Sequence, residues 1–121
     1  MIRYEYQPEN NYLEFSIKGK IAKKDFEGLA KDLGPIFDEM NEIRVMEVIE
    51  DFKGMEASAL WEDIKFGFQH LGIIRKMKKV ALVVNETWIE TLMKLMTPII
   101  PGEVKIFKPE EMAAARAWAL S

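Results

Sequence analysis

Apolar and polar residues alternate strictly over Leu13–Lys18, with Leu13, Phe15 and Ile17 on one side and Glu14, Ser16 and Lys18 on the other. A period of two predicts a strand with one wet face. The turn cluster Pro8-Glu-Asn-Asn11 separates the run Tyr12–Gly19 from an earlier extended run, Ile2–Gln7, so the two read as an opening hairpin. From Lys23 to Met40 the spacing changes to three and four, through Phe26, Leu29, Ala30, Leu33, Ile36, Phe37 and Met40. That is a helix, interrupted by Gly34-Pro35. Proline lacks the backbone donor and crowds the preceding turn, so a kink or two short helices are expected.

Ile43–Ile49 predicts a third strand and Lys79–Val84 a fourth. The fourth is apolar on both faces, as a central parallel strand is. Asn85 caps a helix running to about Met96, and Thr97–Gly102 ends it. Val104–Phe107 is a short fifth strand. Pro109 opens a last helix, with Glu110 and Glu111 where the helix dipole favours acids. The order β-β-α-β-α-β-α-β-α predicts one α/β domain over residues 1–121. It has a five-stranded mixed sheet, an N-terminal hairpin and about four helices, with right-handed crossovers after the hairpin.

The helix predicted over Ala57–Ile73 is apolar on two sides. At about 100° per residue, Ala57, Leu60, Trp61, Ile64, Phe68 and Leu71 form the stripe that covers a sheet. Phe66 and Ile73 fall opposite, beside Glu62, Gln69 and His70. In the helix Glu86–Met96, Trp88, Leu92, Leu95 and Ile99 form one stripe. Ile89, Met93, Met96 and Ile100 widen it beyond the roughly 100° that one sheet face requires. Apolar surface in excess of core needs marks a docking surface, and methionines adapt to irregular apolar partners. The candidate binding residues are therefore Glu62, Lys65, Phe66, His70, Ile73, Trp88, Met93 and Met96, with Lys65 and His70 orienting a ligand at the rim. The occupant is a protein partner, a second copy of the chain or a small apolar molecule. The competing reading of Trp88–Pro101 is a deeply covered helix and a buried loop. Shallow contact with a membrane surface is a third, weakened because Lys94 is the sole base of that helix.

Composition narrows the function classes. The 121 residues are 49% apolar and 31% charged, with net charge −3, the profile of a soluble globular domain. Charges of both signs are interspersed, so no basic stripe calls for nucleic acid. There is no Cys and one His, which excludes thiol chemistry and His clusters and agrees with a reducing, cytoplasmic setting. The charged, alternating N-terminus is unlike a signal peptide. No apolar run reaches the roughly 20 residues of a membrane span.

Catalytic chemistry finds little support. His70 lies nearly in line with Asp63, but two turns away, about 10.5 Å along the axis, too far for a direct bond. His70 reads better as the edge of a pocket beside Phe66. Glu50-Asp51 follows the third strand, where α/β folds place sites, yet no further ligand spacing supports a cation there. Gly-rich phosphate loops are absent. The expectation is a non-enzymatic binding or regulatory module without catalytic residues, metal or cofactor.

Several blocks carry a resemblance: Phe52-Lys-Gly54, Ala59-Leu-Trp-Glu-Asp-Ile-Lys-Phe66, His70-Leu71, Lys79-Val-Ala-Leu-Val-Val84, Trp88-Ile89, Ile100-Pro-Gly-Glu103 and Ala115-Arg-Ala-Trp118. Together they resemble the SpoIIAA-like family over nearly the whole chain. The resemblance implies the STAS-like fold of anti-anti-sigma factors, with a related arrangement in CRAL-TRIO carriers of lipid-like ligands. In anti-anti-sigma factors an Asp-Ser-Ser or Asp-Ser-Thr motif follows the third strand. A kinase-type partner phosphorylates a hydroxyl there, adding about −1.5 to −2 charge at a helix N-terminus. The corresponding stretch here is Glu56-Ala57-Ser58-Ala59, which leaves Ser58 as the one acceptor and breaks the pattern. Ser58 reads first as a helix cap or first-turn serine.

Overall fold

The computed structural model describes residues 2–55, 71–85, 87, 91, 94, 98 and 100–121. Within them the early alternation becomes a hairpin. β1 (Ile2–Gln7) and β2 (Tyr12–Ile21) pair antiparallel, with Ile2 opposite Ile17 and Gln7 opposite Tyr12. A single 3-10 turn over Pro8–Asn10 joins them, and Asn11 closes it in the left-handed conformation, φ 50°, which asparagine tolerates better than most residues.

Then follow α1 (Lys23–Glu39), β3 (Ile43–Met55), α2 (Leu71–Lys76), β4 (Met77–Val84), β5 (Glu103–Phe107) and α3 (Met112–Leu120). The five strands lie in chain order, and β2, β3, β4 and β5 are all parallel. Each crossover steps one strand further the same way, and α1 and the described part of α2 lie on one face. On that inner face Leu33, Phe37 and Met40 of α1 and Ile73 of α2 pack with Leu13, Val45 and Val80. On the outer face α3 sets Ala115 and Ala119 against Tyr12, Met46, Val48, Ala81, Val83 and Phe107. Val80–Val84 are buried without a break, as the apolar run of β4 predicts for a strand covered on both sides.

Three expectations need correction. First, of the two alternatives expected at Pro35, a kink or two short helices, the second does not hold: α1 runs through Pro35 as one helix. Pro35 is exposed while Leu33, Gly34 and Phe37 are buried, so the ring sits toward solvent and packing of its neighbours holds the helix together. Second, β3 continues past Ile49 to Met55. Lys18 pairs with Glu50 but Lys20 with Gly54, so three residues of β3 oppose Gly19 alone. This bulge needs left-handed backbone at Gly19 (φ 75°), Asp51 (φ 47°) and Gly54 (φ 110°). Third, three α-helices stand among the described residues, one fewer than the four or so expected. Of the segment 86–96, Thr87, Thr91 and Lys94 are described and helical, and the Thr91 hydroxyl donates to the Thr87 carbonyl at 3.1 Å. Among the described residues no helix is long and apolar enough to cross a membrane.

Candidate functional site

The inner face of α1 repeats at helical spacing through Phe26, Leu29, Ala30, Leu33 and Phe37, yet it does not meet the sheet evenly. Leu33 and Phe37, toward the C-terminal end, are buried in the core, whereas Phe26, Leu29 and Ala30 are half-buried. The C-terminal end is fastened from α2, where Lys76 Nζ donates to the Phe37 carbonyl at 3.2 Å, satisfying a helix-end acceptor. Toward its N-terminal end the helix stands over a cavity of about 220 Å³. Phe15 and Ile17 of β2 form part of its floor and are half-buried although they share the inner face with fully buried Leu13. Ile2 and Ile21 also line it.

Glu47 is the ionisable residue among the ten described residues of this wall. It lies in the middle strand of the sheet, between Phe15 of β2 and Leu82 of β4. Sequence reasoning passed over it. The signal was there: in Ile43-Arg-Val-Met-Glu-Val-Ile49 a period of two puts Glu47 in phase with Ile43, Val45 and Ile49 on the core side. A carboxylate at a core phase of a central strand needs a partner or a purpose. Among the described residues the wall offers apolar contact and one charge, which suits holding a molecule rather than transforming it.

The outer face carries a polar assembly. Arg116 of α3 donates from Nε to Glu14 Oε1 at 2.8 Å and from Nη2 to Oε2 at 3.2 Å. The Tyr12 hydroxyl donates to Glu14 Oε1 at 2.7 Å. The hydrogen bonds from Arg116 hold the Glu14 carboxyl below its ordinary range, against the opposing effect of burial. Burial pushes the Tyr12 phenol up, and the hydrogen bond to Glu14 adds to it. Beyond the reach of α3, Arg3, Ser16, Lys18 and Glu50 line an open depression. Among the described residues no three His, Asp or Glu side chains gather as a metal site requires.

Most of the candidate residues (Glu62, Lys65, Phe66, His70, Trp88, Met93 and Met96 from helical spacing, Ser58 from the resemblance) lie outside the described residues. Ile73 is described, and its expected outward position is corrected. It is 8% exposed and packs with Leu13, Leu33, Phe37, Val45 and Val80. The reason is connectivity: α2 ends at Lys76 and β4 begins at Met77, so the last helical turn lies against the sheet it is about to enter.

Among curated proteins none matches this chain. Solved structures do. An uncharacterised protein of the DUF3478 family with a SpoIIAA-like fold, from Shewanella loihica PV-4, is 26% identical over 98% of this chain and 92% of that one, with a TM-score of 0.75. The anti-sigma factor antagonist SpoIIAA in its unphosphorylated form is 10% identical over 98% of each chain, with a TM-score of 0.62. The Bacillus cell fate determinant SpoIIAA in its phosphorylated form is 12% identical over 97% of this chain and 99% of that one, with a TM-score of 0.58. At such identities the last two show the shared fold alone. The sequence model of the SpoIIAA-like family matches residues 12–120, the span that holds β2 to α3 and all but one of the cavity's described lining residues. By that match, and with the hairpin-led parallel sheet to support it, the chain belongs to the SpoIIAA-like family.

Proposed function

We propose that this chain is a non-enzymatic binding module of regulatory type, which takes up a small apolar molecule between α1 and the inner face of β1–β3. The observation that carries this reading is the cavity of about 220 Å³ whose described lining, Glu47 apart, consists of aliphatic and phenylalanine side chains. An apolar cavity of about 150 Å³ is known to accept benzene. By proportion this one suits about nine non-hydrogen atoms. Eight buried methylenes at about 0.8 kcal/mol each contribute about 6 kcal/mol before the cost of association. Native mass spectrometry of protein purified under mild conditions tests it. The expected result is a small bound mass that leaves on denaturation, or uptake of added 1-octanol by ligand-free protein. A spectrum with no adduct and no uptake overturns the reading.

A second reading assigns a protein partner. It is favoured by the likeness in fold to a protein solved in phosphorylated and unphosphorylated forms. Ser58 is then the acceptor, and Glu62, Lys65, Phe66 and His70 with Trp88, Met93 and Met96 form the contacting surface. Intact mass after incubation with ATP and a cell extract should rise by one phosphate and stay unchanged in Ser58→Ala.

A further inference from the structure

We infer that the cavity beneath α1 selects an amine: a cationic head on an apolar body of about nine non-hydrogen atoms, with Glu47 receiving the head. This deepens the binding reading above and rests on it. The wall of the cavity is apolar at every described position except Glu47. That residue belongs to the central strand, flanked by Phe15 and Leu82 in the neighbouring strands, so its charge is set among apolar side chains, away from the polar edges of the sheet.

The complementarity is one-sided. A carboxylate-headed ligand would bring a like charge to Glu47, and a neutral alcohol would supply a single uncharged donor. An ammonium supplies opposite charge and two or three N–H donors, and charge-assisted bonds are about twice as strong as neutral ones. Glu47 also engages another group of this chain. A carboxylate has two oxygens and about four acceptor positions, so that interaction and a ligand donor are compatible. The wall makes a second, independent contribution: Phe15, Phe26 and Phe37 all line the cavity, and aromatic faces attract ammonium groups, most strongly where water is excluded.

The test is calorimetric titration at neutral pH with octylamine, 1-octanol and octanoate, which have eight carbons each and differ in the head. The unaltered chain, Glu47→Gln and Ala30→Leu are compared. Octylamine should bind at least tenfold tighter than 1-octanol, and octanoate should bind weakest. Glu47→Gln should bring octylamine to within about twofold of the alcohol, and Ala30→Leu, which fills the cavity, should remove binding of both. Equal binding of amine and alcohol, or a preference for octanoate, overturns the assignment to an amine while the cavity reading stands. An amine preference that persists in Glu47→Gln overturns the role of Glu47. Loss of all three ligands from the unaltered chain overturns both readings. Should Glu47→Gln fail to fold, the amine-to-alcohol ratio of the unaltered chain decides the head group.

Discussion

Arg116 grips Glu14 through both carboxylate oxygens, at 2.8 and 3.2 Å, joining α3 to β2 across 102 residues of chain. The pair carries a definite acid sensitivity. Because Arg116 holds the folded-state pKa of Glu14 below its ordinary value of 4.5, the stabilisation is fully present above that value. It is lost as pH falls through the lowered one. Arg116 is 42% exposed on its side chain, so solvent screening limits the pair to about 0.5–1 kcal/mol. Arg116→Met should cost that much at pH 7 and progressively less as pH falls below 4.5, read as urea midpoints across the acid range. Glu14→Ala should cost more, about 1–3 kcal/mol, because it also strips the buried Tyr12 of its acceptor. Tyr12 works in the other direction: its raised pKa gives stability that is present below pH 10 and fades as pH climbs above it.

The sheet was readable in advance because each strand carries its own record of burial. Alternation in Leu13–Lys18 reports one dry face, and the unbroken run at Val80 to Val84 reports two. What periodicity does not report is which of two apolar helix stripes meets the sheet. Ile73 shows why: counting from Ala57 places it outward, and the short step from α2 into β4 turns it inward. The unbroken helix at Pro35 has a related cause. The missing donor was visible, but the support from buried Leu33 and Phe37 on either side belongs to tertiary packing. The cavity could not be foreseen from spacing alone, since Phe26 and Leu33 look alike in a helical repeat. It exists because α1 is fastened at one end and stands off the sheet at the other. Glu47 was legible as an anomaly, though not as part of a cavity.

Gly102 permits a close backbone approach. A Cβ there would lie 2.5 Å from the Lys78 carbonyl oxygen and closer still to that of Met77. Both are backbone atoms at the start of β4, so neither swings away as a side chain would. Gly102→Ala should therefore destabilise by about 1–3 kcal/mol through overpacking, lowering the midpoint of thermal unfolding by several degrees. A midpoint within one degree of the unaltered chain would show that the turn at Pro101-Gly102 relaxes freely.

Lys79 secures the end of α3. Its ammonium donates to the Trp118 carbonyl at 3.3 Å and that of Ser121 at 3.2 Å, and lies 5.2 Å from the Trp118 ring centroid. Its neighbour across the sheet, Arg44, donates to the Ala119 carbonyl at 3.1 Å. Two cations at a helix C-terminus complement the dipole there. Lys79→Met keeps most of the apolar stem and removes the charge, so it should cost about 1 kcal/mol. Hydrogen exchange should quicken in the last turn of α3 and stay unchanged in β2. Uniform quickening across the sheet would mean that Lys79 supports the fold as a whole.

Leu33 and Ala30 stand a turn apart on the face of α1 that overlooks the cavity, and they should respond to substitution in opposite directions. Leu33 is 3% exposed and belongs to the core. Leu33→Ala enlarges a space that already exists, so it should cost about 2–4 kcal/mol from lost transfer energy and added void. Ala30→Leu brings three carbons into the same space, and each methylene removed from water is worth about 0.8 kcal/mol. Strain from an imperfect fit subtracts from that gain, leaving a stabilisation of about 1 kcal/mol. A ligand that binds the folded state raises its stability with concentration, so 1-octanol should raise the melting temperature of the unaltered chain and leave Ala30→Leu unmoved. This pairing separates a binding cavity from a packing gap: both would be filled by leucine at position 30, but the gap alone would show no ligand-dependent rise to abolish.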